Sequence, residues 1–203
     1  MSGACDLVCA ARTVRSASPF QKSRSESLVQ MTEQLWAPWR LQYIESAEKA
    51  EGCIFCTFPA AGEEHDSEHL IVHRGEHAYI ILNAFPYSNG HLMVVPFRHT
   101  SRMEDYSDPE LLDVMHLTAL SISILRIAFK PDGFNLGVNM GRVAGAGIAD
   151  HLHWHIVPRW NGDTNFMPVM ADVRVIPEGL GAVYSRLRTA LSAALTLQPD
   201  TTA

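Results

Sequence analysis

The chain has 203 residues, 47% of them hydrophobic, with 16 Lys plus Arg against 22 Asp plus Glu and a formal charge of -6. That length suits one domain with a sizeable core. The acidic balance argues against broad electrostatic binding to nucleic acid or anionic lipid, while leaving room for a local pocket that takes a small anion. The longest apolar runs, such as AYIIL and HLMVVPF, fall well short of the roughly 20 residues of a membrane span, so no membrane partner is expected.

Residues 1–30 are rich in Ser, Ala and Arg and show no sustained period. They read as a disordered tail or a misassigned start, since Met31 directly precedes TEQLWAPWR. A leader peptide is a poorer reading, because no uninterrupted apolar stretch is followed by a cleavage pattern. Residues 31–203 are expected to form the folded domain with a C-terminal extension. Cys5 and Cys9 fall in the tail, whereas Cys53 and Cys56 form CIFC. This spacing fits metal binding or redox chemistry better than a secreted disulfide framework, and it points to the cytoplasm.

HLIVHR and HAYIILN, separated by a Gly-Glu turn, predict a hairpin, and GHLMVVPFRH predicts a third strand after the FPYSN loop. DPELLDVMHLTALSISILRIAFKPDG carries the strongest helix signal, with Asp108 as N-cap, Pro109 at the first helical position and Pro131 and Gly133 as the stop. Leu111, Leu112, Met115, Thr118, Ala119, Ile122 and Leu125 recur near helical spacing and are expected to pack on the sheet. FNLGVNM reads as another strand, followed by the Gly-rich loop GRVAGAGIAD and the segment DHLHWHIVPRW. Residues 178–196 look helical. Strands segregated from helices predict an α+β domain, an antiparallel meander with one long helix on it and a second helix at the C-terminus.

In a strand, His151, His153 and His155 share one face while Leu152, Trp154 and Ile156 take the other. A row of imidazoles can attack phosphorus, donate a proton or hydrogen-bond an extended phosphate ligand near neutral pH. Gly141, Gly145 and Gly147 in the preceding loop let backbone N–H groups approach phosphate oxygens. Three exposed histidines without a role, or three ligands of one metal ion on a straight strand, are the competing accounts.

HLHWHIV matches the His-x-His-x-His pattern and resembles the histidine triad family of nucleotide hydrolases and transferases. The likeness runs back through NMGRVAGAGIAD and GHLMVVPFRH to LNAFPY, while LWAPWR and PRWNGDTNFMPV resemble its bacterial diadenosine tetraphosphate phosphorylase-like branch. The resemblance implies a fold of that family and a covalent AMP-histidine on His153, with His155 handling the phosphate and the departing group. It places Asn139 and the loop residues Gly145, Ala146 and Gly147 at the phosphate oxygens, Asn83 at the ribose and His91 at the border of the phosphate site. Many family hydrolases carry a polar side chain where this chain has Gly147, which suggests inorganic phosphate rather than water as acceptor.

The same resemblance completes CIFC with His99 and His151, giving Cys53, Cys56, His99 and His151 as ligands of a structural zinc. It also implies a homodimer and an adenine nucleotide or dinucleoside polyphosphate as substrate. Three functional readings follow: phosphorolysis of diadenosine tetraphosphate to ATP and ADP, hydrolysis of dinucleoside polyphosphates or adenylate conjugates such as phosphoramidates, and a zinc-stabilised nucleotide-binding module with little turnover. His65, His69, His73, His77 and His116 are expected on the surface or in strand packing, and Trp36, Trp39 and Trp160 as core anchors or base contacts.

Overall fold

The computed structural model describes residues 52–163 and 176–197. The tail, Cys5, Cys9, Trp36, Trp39 and the LWAPWR motif lie outside the described residues. Helix α1 (Ile54–Ala60) leads through a 3-10 turn at Glu63–His65 to strand β1 (Ile71–Arg74). β2 (Ala78–Leu82), β3 (Leu92–Pro96), helix α2 (Asp108–Phe129), β4 (Gly133–Val138), β5 (Trp154–Arg159) and helix α3 (Leu180–Leu197) follow.

The five strands form one antiparallel sheet in the order β1-β2-β3-β5-β4. The meander holds for β1, β2 and β3; β5 then enters between β3 and β4, leaving β4 at the edge. β2 and β3 are buried throughout because both faces of the sheet are covered. Ile80, Leu82, Leu92, Val94 and Ile156 pack under α2 and α3. Tyr79, Ile81, Met93 and Val95 alternate to the other face and meet Phe55 from α1.

α2 differs in detail from its sequence reading. Its N-cap is Ser107, not Asp108, and the Glu110 carboxylate accepts the Ser107 N–H at 2.8 Å and the Ser107 hydroxyl at 2.7 Å, as in a capping box. The helix ends at Lys130, whose φ of 50° is left-handed. Val114, Leu117, Leu120, Ile124 and Leu125 form its buried side with Thr118 and Ser121, while Leu112, Met115 and Ala119 are exposed, contrary to expectation. Apolar residues occur on nearly every side of this helix, so periodicity does not single out a face. The Thr118 and Ser121 hydroxyls satisfy themselves on the carbonyls four residues back, at 2.8 and 2.7 Å, so polar side chains can sit in the core. By length and composition α2 also suits a membrane span; its inner side packs on the sheet instead.

Long polar side chains then tie elements together. Asp113 of α2 accepts the N–H groups of His77 and Ala78 at 2.7 and 3.0 Å, fixing the β1–β2 turn. Tyr184 and Arg188 of α3 donate to the carbonyls of Ile71 and Val72 at 3.0 and 2.6 Å, holding that helix beside β1.

Candidate active site and metal centre

β5 starts at Trp154, so His151 and His153 precede the strand that was expected to carry all three histidines, and only His155 lies within it. The chain before β5 is nonetheless tethered, with the Leu152 N–H on the Thr100 carbonyl at 2.8 Å. Register sets the faces. His155 pairs with Met93 on β3 and with Gly137 on β4, so it points away from α2 and α3. Ile156 points into the core beneath those helices.

Hydrogen bonds settle which nitrogen of each ring carries the proton. His153 Nδ1–H donates to the His151 carbonyl at 2.9 Å, leaving Nε2 with its lone pair. Burial holds the His153 pKa below that of an ordinary imidazole, against the opposing pull of that carbonyl. The result is a neutral imidazole with one free nucleophilic nitrogen.

His155 belongs to a second relay. The Tyr87 N–H and the Asn83 side-chain amide both donate to His91 Nδ1, at 3.1 and 3.2 Å. His91 therefore carries its proton on Nε2 and donates it to His155 Nδ1 at 3.0 Å. A neutral His155 must then hold its own proton on Nε2. The His153 and His155 rings meet at 4.8 Å between centroids, so a nucleophilic nitrogen and a proton donor stand side by side.

Of the other expected phosphate residues, Asn83 and His91 join this pair through hydrogen bonds. Val138 pairs with Trp154 at the end of the ladder, and Asn139 follows Val138 directly in the chain as His153 precedes Trp154. Gly145 adopts a left-handed conformation with φ 93° at the end of the 3-10 turn Arg142–Ala144, and the Ala146 N–H bonds back to Gly141 at 3.3 Å. Gly147 follows without a left-handed φ. Asn83 is half-buried, and its side chain also caps the Phe85 N–H at 2.9 Å. Among the remaining histidines, His116 is exposed and His69 stacks on Phe58 at 4.3 Å. Trp160 donates its indole N–H to the Phe129 carbonyl at 3.4 Å, an anchoring contact.

Cys53, Cys56, His99 and His151 converge, with one ligand atom from each lying within 4.8 Å of all the others, and could hold a metal ion. Cys53 is the N-cap of α1 and Cys56 lies in its first turn, so CIFC puts both thiols on one side. His151 Nδ1 lies 3.4 Å from Cys53 Sγ, 3.5 Å from Cys56 Sγ and 3.2 Å from His99 Nδ1, and Cys56 Sγ lies 3.3 Å from His99 Nδ1. The His151 Nε2–H donates to the Pro96 carbonyl at 2.8 Å, which leaves Nδ1 as the ligand atom. Burial brings His151 down to about 4, helped by His99 and His153 and opposed by the Pro96 carbonyl. Burial, with Cys53 adding to it, pushes the Cys56 thiol up to about 11. A cation would reverse that preference by binding the thiolate.

Two aromatic residues escaped the sequence reading. Phe55, between the two cysteines, lies against His153 at 4.9 Å and His151 at 5.5 Å and shields both from water. Tyr87 covers His91 at 4.7 Å and His155 at 5.7 Å. Their signal was proximity to motif residues, which an aromatic core anchor shows equally.

A family model described as HIT domain matches residues 64–162. The chain is 40% identical over 151 residues to the AP-4-A phosphorylase of Mycobacterium tuberculosis, covering 72% of this chain and 77% of that protein. It is 29% identical over 102 residues to an adenosine 5'-monophosphoramidase of Schizosaccharomyces pombe, covering 50% and 73%. A crystal structure of a Zn-bound histidine triad family protein from Mycobacterium smegmatis superposes with a TM-score of 0.59 at 25% identity, covering 72% of this chain and 98% of that one.

Proposed function

We propose, starting from the fact that this chain belongs to the HIT domain family, that it is a nucleotide-processing enzyme passing an AMP group through His153. The observation that carries this reading is the His153 imidazole, held neutral by burial and oriented by the His151 carbonyl, with Nε2 free beside His155. In the first step His153 Nε2 bonds to the α-phosphorus of an adenosine polyphosphate. The P–O bond to the departing group breaks, and the departing oxygen takes the proton on His155 Nε2. In the second step an acceptor oxygen attacks the AMP-histidine, the P–N bond breaks, and the acceptor's proton passes to His155. Asn139 and the Gly145–Ala146–Gly147 loop border the phosphate oxygens, the Gly147 N–H being the loop's donor because those of Gly145 and Ala146 bond back to the Arg142 and Gly141 carbonyls, with Asn83 and His91 at the ribose and phosphate border.

With inorganic phosphate as acceptor, diadenosine tetraphosphate yields ATP and ADP. The Mycobacterium tuberculosis relative supports this acceptor, as does the lack of a side chain at Gly147. The phosphoramidase relative supports the same first step with water as acceptor. Product analysis on diadenosine tetraphosphate, with and without phosphate, separates the two. ATP plus ADP formed only with phosphate establishes phosphorolysis; AMP plus ATP without it establishes hydrolysis. No turnover on this substrate or on phosphoramidates would leave a nucleotide-binding module.

We assign zinc to the Cys53, Cys56, His99 and His151 set. Zinc bonds of about 2.3 Å to sulfur and 2.0–2.1 Å to nitrogen make the N···S edges of a tetrahedron about 3.6 Å and its N···N edge about 3.3 Å. The observed 3.3–3.5 Å and 3.2 Å agree. The Zn-bound neighbour points the same way. Bound zinc would act structurally, pinning α1 to the segment ahead of β5 and so steadying the His151 carbonyl that orients His153.

A homodimer is part of the same reading. Leu112 and Met115, neighbours on α2, are 56% and 50% exposed and Leu136 on the edge strand β4 is 54% exposed, apolar side chains that a second copy would cover. Leu136 points to the side opposite His155, so pairing there leaves the site open.

A further inference from the structure

The residue facing His155 on the outer side of the sheet is Gly137. Directly opposed residues of neighbouring strands share a face and stand about 4.5–5.5 Å apart. Gly137 therefore lies beside the imidazole that serves the departing group. On the inner side His155 faces Met93, and the rings of His91 and Tyr87 close that flank at 5.1 and 5.7 Å. A group leaving phosphorus toward His155 meets side chains toward β3 and, among the described residues, an open lane toward β4.

The fold itself does not require glycine at 137. Gly90 shows what a required glycine looks like: its φ is +77°, and a Cβ there would come within 3.0 Å of the Phe129 ring and 3.1 Å of Leu125. Gly137 has no left-handed φ, and a Cβ there would meet nothing within 4 Å. Glycine inside a strand destabilises it relative to alanine, and it often marks the close approach of a ligand. With no steric reason for the missing side chain, its position next to His155 supplies the explanation.

We propose that Gly137 is a specificity-determining residue, keeping open the space taken by a bulky leaving group, a nucleoside polyphosphate, as it departs past His155. This rests on His153 as the nucleophile. As the His153 Nε2–P bond forms, the bridging P–O bond breaks, its electron pair stays on the departing oxygen, and that oxygen takes the His155 Nε2 proton. A leaving group as small as ammonia, released when the P–N bond breaks, its electron pair stays on the departing nitrogen and that nitrogen takes the His155 Nε2 proton, does not need the lane.

The test compares the wild type with Gly137→Ala and Gly137→Val on diadenosine tetraphosphate and on adenosine 5'-phosphoramidate, with a thermal melt of each protein. For the Val variant, kcat/KM on the dinucleotide is expected to fall about tenfold or more, and on the phosphoramidate about twofold or less. The Ala variant should lie between, and the melting temperature should hold or rise because Val suits a strand. Equal losses on both substrates, or no loss on either, would overturn the proposal. If the wild type fails to turn over one or both compounds, the covalent reading is in question on its own account. Gly137 is then judged by affinity: the Val variant should weaken binding of diadenosine tetraphosphate and spare AMP, and equal effects on the two would overturn it.

Discussion

His91, the residue just before β3, places its Nε2 3.0 Å from Nδ1 of His155 on β5, while the Tyr87 N–H occupies the other nitrogen of His91. A backbone donor 68 residues away from His155 in the chain thus dictates which nitrogen of His155 carries the proton. The proton on the far nitrogen is the one that the departing group needs.

Replacing His91 with Ala removes the donor to His155 and lets that ring adopt either tautomer. We expect kcat to fall roughly tenfold, the worth of one hydrogen bond at about 1.4 kcal/mol, with a smaller change in KM. Steady-state kinetics on the preferred substrate decide it, and an unchanged kcat would remove His91 from the relay.

His153→Ala is expected to reduce turnover by about a thousandfold or more, as loss of a nucleophile does. Mass spectrometry of the wild type quenched during turnover should show an added AMP that the variant lacks. Full turnover by the variant would end the covalent mechanism.

Freshly purified protein should contain one zinc per chain by elemental analysis, and His99→Ala should lose most of it and melt at a lower temperature. Because His99 does not touch the reacting pair directly, the expected activity loss follows from the weakened hold on the His151 carbonyl and should be partly restored by added zinc. A metal-free wild type with an unchanged melt would refute the assignment.

Stability should depend on pH through the α2 cap. The Ser107 backbone N–H, then the Ser107 hydroxyl and Arg98, hold the Glu110 carboxyl below its ordinary value. A lowered folded-state pKa means the stabilisation is fully present above the unfolded carboxylate value and fades as pH falls through the folded one. Glu110→Ala should therefore lower stability by about 1 kcal/mol at pH 7. That deficit should begin to shrink below about pH 4, where the unfolded carboxyl protonates, and shrink further as pH falls through the lowered folded-state value. A gap that stays constant down to pH 3 would show that packing, not the charged cap, is responsible.

If the exposed α2 side forms a dimer, Leu112→Lys combined with Met115→Lys should convert a dimeric species to a monomer in light scattering while leaving the melt of the monomer unit nearly unchanged. A wild type that is already monomeric at micromolar concentration would dismiss the interface.

Local spacing was enough to determine much of this protein. CIFC places two thiols one helical turn apart, alternation sends Trp154 and Ile156 to the opposite side from His155, and Pro109 near the start of α2 and Pro131 beyond its end bound that helix. These depend on backbone geometry over a few residues. The helix phase did not follow, because α2 is apolar on nearly every side and only its contacts with the sheet choose Val114 and Leu117 over Leu112 and Met115. His99 and His151 were tied to CIFC only by resemblance, since no spacing rule links Cys53 to a ligand 98 residues away. The insertion of β5 between β3 and β4 decided the rest. It placed Met93 on one side of His155 and Gly137 on the other, a juxtaposition set by strand pairing across the whole domain rather than by any neighbour in sequence.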